Sequence, residues 1–251
     1  MFRALAPAAL ALATVAPAAQ AGGFDLTEMT DTEREAFHAE VRAYILSNPE
    51  IIIEAVQLLE ERQAAAGAVD DGELIAANAA EIFDSDSDWV AGNPDGDVTL
   101  VEFADYRCGF CHRAYPDLME LIERDEDVRL IVKELPILGP DSELAARFAI
   151  AVLQEAGDDP YAGVHDALMT HSGAISEDML LGLSDNLGLD TDAIAERMHS
   201  EAVDEVIEEN RALAQRLGIE GTPSFVLEDQ MMRGYVPLAA MEEMVAGLRA
   251  D

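Results

Sequence analysis

The chain has 251 residues, with 51 acidic side chains against 15 Lys and Arg, a formal net charge of −36 at pH 7. A surface this acidic excludes nucleic acid and anionic membrane as partners, because both are held by basic patches. It reads instead as a well-hydrated, self-repelling surface suited to salt.

Residues 1–21 read as an export leader. Arg3 supplies a positive start, Ala4 to Ala19 is apolar but carries Pro7 and Pro17, and Ala19-Gln20-Ala21 offers small residues for a signal peptidase. A membrane anchor needs roughly 20 uninterrupted apolar residues, more than this proline-broken stretch provides. Cleavage is expected near Ala21, leaving a protein in an oxidising compartment with no stable membrane insertion.

Residues 22–67 form the next segment. Phe37, Val41, Tyr44 and Ile45 recur at helical spacing. Asn48-Pro49 interrupts the helix and restarts it, with Asn48 expected as N-cap and Pro49 in the first turn. The second helix carries Ile51, Ile52, Ile53, Val56, Leu58 and Leu59, too much apolar surface for a lone arm in water. Residues 68–85, opening near Gly67 to Gly72 with paired aspartates, read as a linker or hinge.

From residue 86 the pattern becomes α/β. The turn residues Asn93-Pro94-Asp95-Gly96 lead into a β-prone run, Val98 to Phe103. A helix through Leu118, Leu121 and Ile122 follows, then a strand at Val128 to Val132 ended by Pro136. A helical section spans about 142–217, broken at Gly157 to Pro160, at Ser172-Gly173 and at Gly188. Ser224 to Leu227 and Met232 to Val236 pair as strands across Glu228-Asp229-Gln230, and a last helix runs from Leu238 to Leu248.

Cys108 and Cys111 are the only cysteines. A cross-link closing so small a loop removes little unfolded-state entropy, so the pair is badly placed to stabilise a fold and well placed to react. Cys108 ends a strand-to-helix connection, where free backbone N–H groups and the helix dipole favour thiolate. Arg107 and Arg113 flank it and are expected to add to that effect. Cys111, one turn on, is placed to attack a mixed disulfide formed at Cys108. This makes Cys108 the nucleophile and Cys111 the resolving thiol. Glu102 lies in the preceding strand, either buried beneath the site, where it could take the Cys111 proton, or at a strand edge facing solvent. Pro116 inside the helix is expected to kink it, and Thr222-Pro223 opens a later strand where proline is tolerated.

Two rival chemistries use the same residues. Cys108-Gly109-Phe110-Cys111-His112 matches the attachment pattern of c-type haem, with His112 as an axial ligand, but it sits in an α/β pattern rather than a small helical domain. Cys108, Cys111 and His112 could also hold zinc or copper, yet no second ligand cluster follows at the usual spacing. His38, His165, His171 and His199 read as surface or core residues. No metal and no cofactor are therefore expected.

Assembled, these residues resemble the DsbA-like branch of the thioredoxin superfamily, most of all ScsC-like periplasmic proteins. The likeness is carried by Gly92-Asn93-Pro94, by Val98 through Cys111, and by Leu217-Gly218-Ile219-Glu220-Gly221-Thr222-Pro223-Ser224-Phe225-Val226. It implies a thioredoxin fold over 86–251 with a helical insertion, preceded by an N-terminal helical arm. It further implies a cis Pro223, a buried Glu102 near the resolving cysteine, and a client groove formed by Gly109, Phe110, Thr222 and Pro223. Arg42 to Glu60 resembles the N-terminal region of ScsC-like proteins, which implies a homo-oligomer through residues 30–66. Gly109-Phe110 departs from the Pro-His of strongly oxidising members, and together with Thr222 it resembles isomerases and reductases. The expected function is a periplasmic thiol–disulfide oxidoreductase leaning to isomerase or reductase, with a disulfide-forming oxidase as alternative. A copper-binding or holdase module using the same thiols is the second alternative. Expected partners are unfolded or mis-oxidised exported proteins and a membrane redox partner, either a reductase or a quinone-linked oxidase.

Overall fold

A computed structural model describes residues 29–250, with backbone alone for 59–69. The leader reading at 1–21 lies outside the described residues. The chain divides into two compact units, residues 1–60 and 61–251.

The described part of the first unit is helical. Helix α1 (Asp31–Ser47) starts with a capping box, in which the Thr30 hydroxyl accepts from the Glu33 N–H and the Glu33 carboxylate accepts from the Thr30 N–H at 2.9 Å. No residue of α1 is buried, and Phe37, Val41, Tyr44 and Leu46 are all exposed. Asn48 closes α1 instead of opening the next helix: its backbone N–H and its side-chain amide both donate to the Tyr44 carbonyl. That side chain is thereby used, and helix α2 (Glu50–Ala77) begins two residues later. Ile52, Ile53, Val56 and Leu58 on its first part are exposed.

The second unit is built on a five-stranded sheet of order β1-β3-β2-β4-β5. Its strands are β1 (Trp89–Gly92), β2 (Val98–Ala104), β3 (Val128–Glu134), β4 (Ser224–Leu227) and β5 (Gln230–Arg233). Strands β2 and β3 run parallel, joined by α4 (Gly109–Arg124), and every other pairing is antiparallel. Six of the seven β2 residues are buried, as a central strand covered on both faces requires. One face packs against α4, α10 (Leu238–Leu248) and the helical insertion, which contains α5 (Pro140–Ala156), α6 (Asp158–Thr170), α7 (Glu177–Asn186) and α8 (Thr191–Met198). The other face is covered by Ile75, by Ile82 of α3 (Ala79–Phe83), and by Leu213 and Ala214 of α9 (Glu201–Arg216).

The expected breaks in the helical section all occur, and one more falls at His199-Ser200, with Ser200 at the N-cap position of α9. Residues 68–85 differ from the linker reading. They are helical through Ala77 and again in α3, Ile75 and Ile82 are core residues, and Asp71 is bonded by Arg233 at 2.8 and 2.7 Å. Ile75 near the end of α2 and Ile82 in α3 pack into the same core cluster, and that burial outweighs the local Gly and Asp content. Strand β1 was not expected. Gly92 ends it at φ +69, where a Cβ would lie 2.4 Å from the Val128 carbonyl oxygen. The last hairpin is tighter than expected: Leu227 pairs with Gln230, so Glu228 and Asp229 alone make the turn, Glu228 at φ +52. Glu228 is held there because its carboxylate accepts the Thr99 N–H at 2.7 Å.

Candidate active site

The site begins where β2 ends. After Ala104 the buried Asp105 binds the loop together: its carboxylate accepts the N–H of Arg107 at 2.7 Å, of Ile137 at 2.8 Å and of Leu138 at 3.1 Å. The Asp105 carbonyl accepts the Cys108 N–H at 3.0 Å. Cys108 is thereby set at the N-cap of α4, one position before the first turn, with extended backbone and no capping bond of its own. Free N–H groups of the first turn surround such a position.

The two sulfurs differ sharply. Hydrogen bonding brings the Cys108 thiol down to about 5: the bond from Cys111 is the largest cause, with Thr222 and the backbone N–H groups of Cys111 and Phe110 adding to it against the opposing effect of burial. Cys111 is fully buried, and its proton is held well above the ordinary thiol range by its bond to Cys108, by burial and by the charge of Glu102. Both thiols are free. The Cys108 thiol lies 3.0 Å from the Thr222 carbonyl oxygen, and the Thr222–Pro223 peptide bond is cis. Gly109 and Phe110 are exposed at the helix start, with nothing near a Cβ built on Gly109.

Arg107 and Arg113 are not directed at the sulfur. Arg107 donates to the Gly173 carbonyl at 2.7 Å, and the Arg113 guanidinium stacks over the Tyr235 ring at 4.4 Å. The largest effects favouring the thiolate are hydrogen bonds, and the flanking cations are engaged elsewhere. Pro116 sits inside α4, which continues as helix to Arg124. His112 is bound to the Tyr106 carbonyl through Nε2 at 2.7 Å, so the nitrogen that would ligate haem or metal is already engaged. Among the described residues no three His, Cys, Asp or Glu side chains converge to hold a cation.

Glu102 is buried, and its Oε1 has no hydrogen-bond partner. Burial pushes its carboxyl up to about 8, with the charges of Glu134 and Cys108 adding to the effect. The solvent-facing alternative fails because β2 lies between β3 and β4. A second polar group, absent from the sequence reading, lies on the same face. The Glu134 carboxylate accepts from the Tyr106 hydroxyl at 2.6 Å and the Tyr161 hydroxyl at 2.5 Å, and His165 meets Tyr106 at 2.9 Å through Nδ1. The one available signal for it was an acidic residue at the end of an apolar strand. Lys133, the single lysine, points to the opposite face and pairs with Asp88, both side chains being buried.

The geometry sets two free thiols at the start of a helix, beside a cis proline. Residues 99–246 match the DSBA-like thioredoxin domain, and residues 33–66 match the copper resistance protein ScsC N-terminal domain. The chain belongs to the DsbA-like thioredoxin family of thiol–disulfide oxidoreductases, and it carries an ScsC-type N-terminal domain. It is similar to a thioredoxin-like oxidoreductase from Silicibacter pomeroyi, 40% identical with TM-score 0.64, covering 68% of this chain and 98% of that one. It also resembles the thiol-disulfide exchange protein alpha-DsbA2 from Wolbachia pipientis, 29% identical with TM-score 0.68, over 73% of this chain and 98% of that one. A stretch of 99 residues, 39% of this chain, is 32% identical to Na(+)/H(+) antiporter NhaA 1 of Salinispora arenicola. The match spans only 15% of the antiporter's length.

Proposed function

We propose that this chain is an exported, periplasmic protein thiol–disulfide oxidoreductase working through Cys108 and Cys111, in the isomerase or reductase direction. The lean to isomerase or reductase rests on Gly109-Phe110 and Thr222, and the observation that carries the dithiol chemistry is the asymmetry of the pair. One sulfur is stabilised as thiolate at a helix N-cap, and the other is buried and protonated above a carboxyl.

In this mechanism the Cys108 thiolate attacks a client disulfide, one client sulfur leaves as thiolate, and a mixed disulfide forms. Glu102 takes the Cys111 proton, and Cys111 attacks the Cys108 sulfur. The bond to the client breaks with its electron pair on the client sulfur. The client disulfide is thus reduced by two electrons and the enzyme pair is oxidised. Thr222, Pro223, Gly109 and Phe110 border the sulfur, and the exposed Phe110 ring gives an unfolded client an apolar contact. Residues 30–66 join copies of the chain, covering the exposed apolar face of α1 and the start of α2. The clients are mis-oxidised exported proteins, and a membrane reductase restores the dithiol.

A second reading, the disulfide-forming oxidase, is favoured by one observation. A thiol lowered to about 5 stabilises the reduced state and makes the disulfide more oxidising. Turnover assays separate the two directions: the isomerase reading expects refolding of scrambled ribonuclease and catalysed insulin reduction, both abolished in Cys108→Ser. Oxidation of reduced ribonuclease without either activity would favour the oxidase. Full activity in Cys108→Ser would remove both readings.

A further inference from the structure

Glu102 and Glu134 form a buried acidic pair on one face of the sheet. In the parallel β2–β3 register Glu102 faces Val132 and Glu134 faces Ala104, so the two are offset by two positions on adjoining strands. At about 3.3 Å of rise per residue and about 4.8 Å between strands, their Cα atoms lie roughly 8 Å apart. Both residues are buried, and each keeps one oxygen without a partner, Oε1 of Glu102 and Oε2 of Glu134.

Their surroundings are unequal. Glu134 Oε1 accepts two tyrosine hydroxyls, and Tyr106 is itself backed by the buried His165. No hydroxyl or amide donor reaches Glu102 Oε1. Hydrogen bonds to a carboxylate favour its charged form, and two like charges in one buried site disfavour double ionisation. Of the two, Glu134 therefore ionises first as pH rises, and its charge then holds the proton on Glu102.

We propose that Glu134 is a positioning residue for the resolving step, whose charge holds the proton on Glu102 and so sets the pH at which Glu102 can accept the proton of Cys111. The proposal rests on the base role given to Glu102 above. The groups facing Glu102 are Glu134 from β3 and Cys108 and Cys111 from the start of α4. Glu134 is bonded by Tyr106 from the loop after β2 and Tyr161 from α6, with His165 behind Tyr106, and the charges of Asp105 and, across the sheet, Asp88 also act on it. Burial raises both carboxyls to about 8, and for Glu102 the charge of Glu134 is the next cause. His165 is lowered by burial to about 3, so it is neutral at working pH and adds no charge.

The test isolates resolution. Cys108 is loaded with a thionitrobenzoate group, and release of the coloured thiolate by Cys111 is followed by stopped flow. The proton goes from Cys111 to Glu102, the Cys108–Cys111 bond forms, and the thionitrobenzoate leaves with the electron pair. In the wild type the rate is expected to rise with pH as Glu102 ionises. Glu134→Gln keeps an acceptor for the tyrosines and removes the charge, so the midpoint should fall by about one pH unit, which is about ten-fold in rate on the rising limb. Tyr161→Phe removes one donor, makes Glu134 harder to ionise, and should move the midpoint the same way by less. An unchanged midpoint in Glu134→Gln, or in Tyr161→Phe should the first variant not fold, overturns the proposal and leaves Glu134 a structural residue. Glu102→Gln should abolish the rising limb. An unaltered profile there removes the base role of Glu102 itself, whereas loss of that limb with no effect at Glu134 removes only the coupling.

Discussion

Cys108 and Cys111 illustrate how one residue type acquires two chemistries from position alone. The spacing made the roles legible: an N-cap sulfur meets free N–H groups, and a residue three further on points into the core. The part of Arg107 and Arg113 was not legible, because they sit beside the sulfur in the chain yet are drawn to Gly173 and Tyr235. Glu102 stayed ambiguous in the sequence because only the strand order buries it, and Glu134 was hidden beside a lysine that points to the other face. The thiolate absorbance of the reduced protein should titrate with a midpoint near 5, while the Cys108→Ser variant shows no transition there. A midpoint close to the ordinary value of 9.0 would contradict the hydrogen-bond account. The sign for stability follows. A folded-state value below the unfolded one contributes stability that is present above the unfolded value and lost as pH falls through about 5. The reduced form should therefore gain on the oxidised form in thermal scans as pH rises from about 5 towards about 9.

The helices of the insertion were readable because Gly and Pro mark their breaks, whereas the two short β elements were not. Strand β1 is four residues long and pairs only with β3, a contact no local pattern announces. Strand β5 lies two residues earlier than its apolar content suggested, because Glu228 takes positive φ and closes a two-residue turn. Helix α1 and the start of α2 show the opposite situation: their pattern was plain, and no residue of α1 is buried. An amphipathic helix derives most of its stability from packing its apolar face, so these residues need a partner, proposed here to be other copies of the chain. Val41→Glu combined with Tyr44→Glu should lower the mass seen by light scattering to that of a smaller species, while insulin reduction per site is retained. An unchanged mass would place any association elsewhere.

At the scale of the whole molecule the charge dominates. Ion pairs such as Arg249 with Asp97 and Asp125 lie at the surface, where each contributes about 0–1 kcal/mol and weakens with salt. Opposing them is the mutual repulsion within a net charge of −36, acting over many pairs at once. Salt shortens the Debye length from about 30 Å at about 0.01 M to about 3 Å at about 1 M, so it relieves long-range repulsion more than it weakens contact pairs. The melting temperature should rise with sodium chloride across that range, and a fall would show that the ion pairs outweigh the repulsion. None of this charge alters the central claim, which concerns two sulfurs on an acidic scaffold. The most direct test is to express Cys111→Ser, whose mixed disulfides cannot be resolved, and to identify by mass spectrometry what is bound. The account predicts exported proteins linked through Cys108, released by dithiothreitol and absent from Cys108→Ser. A Cys111→Ser protein that accumulates no adduct at Cys108 would contradict it.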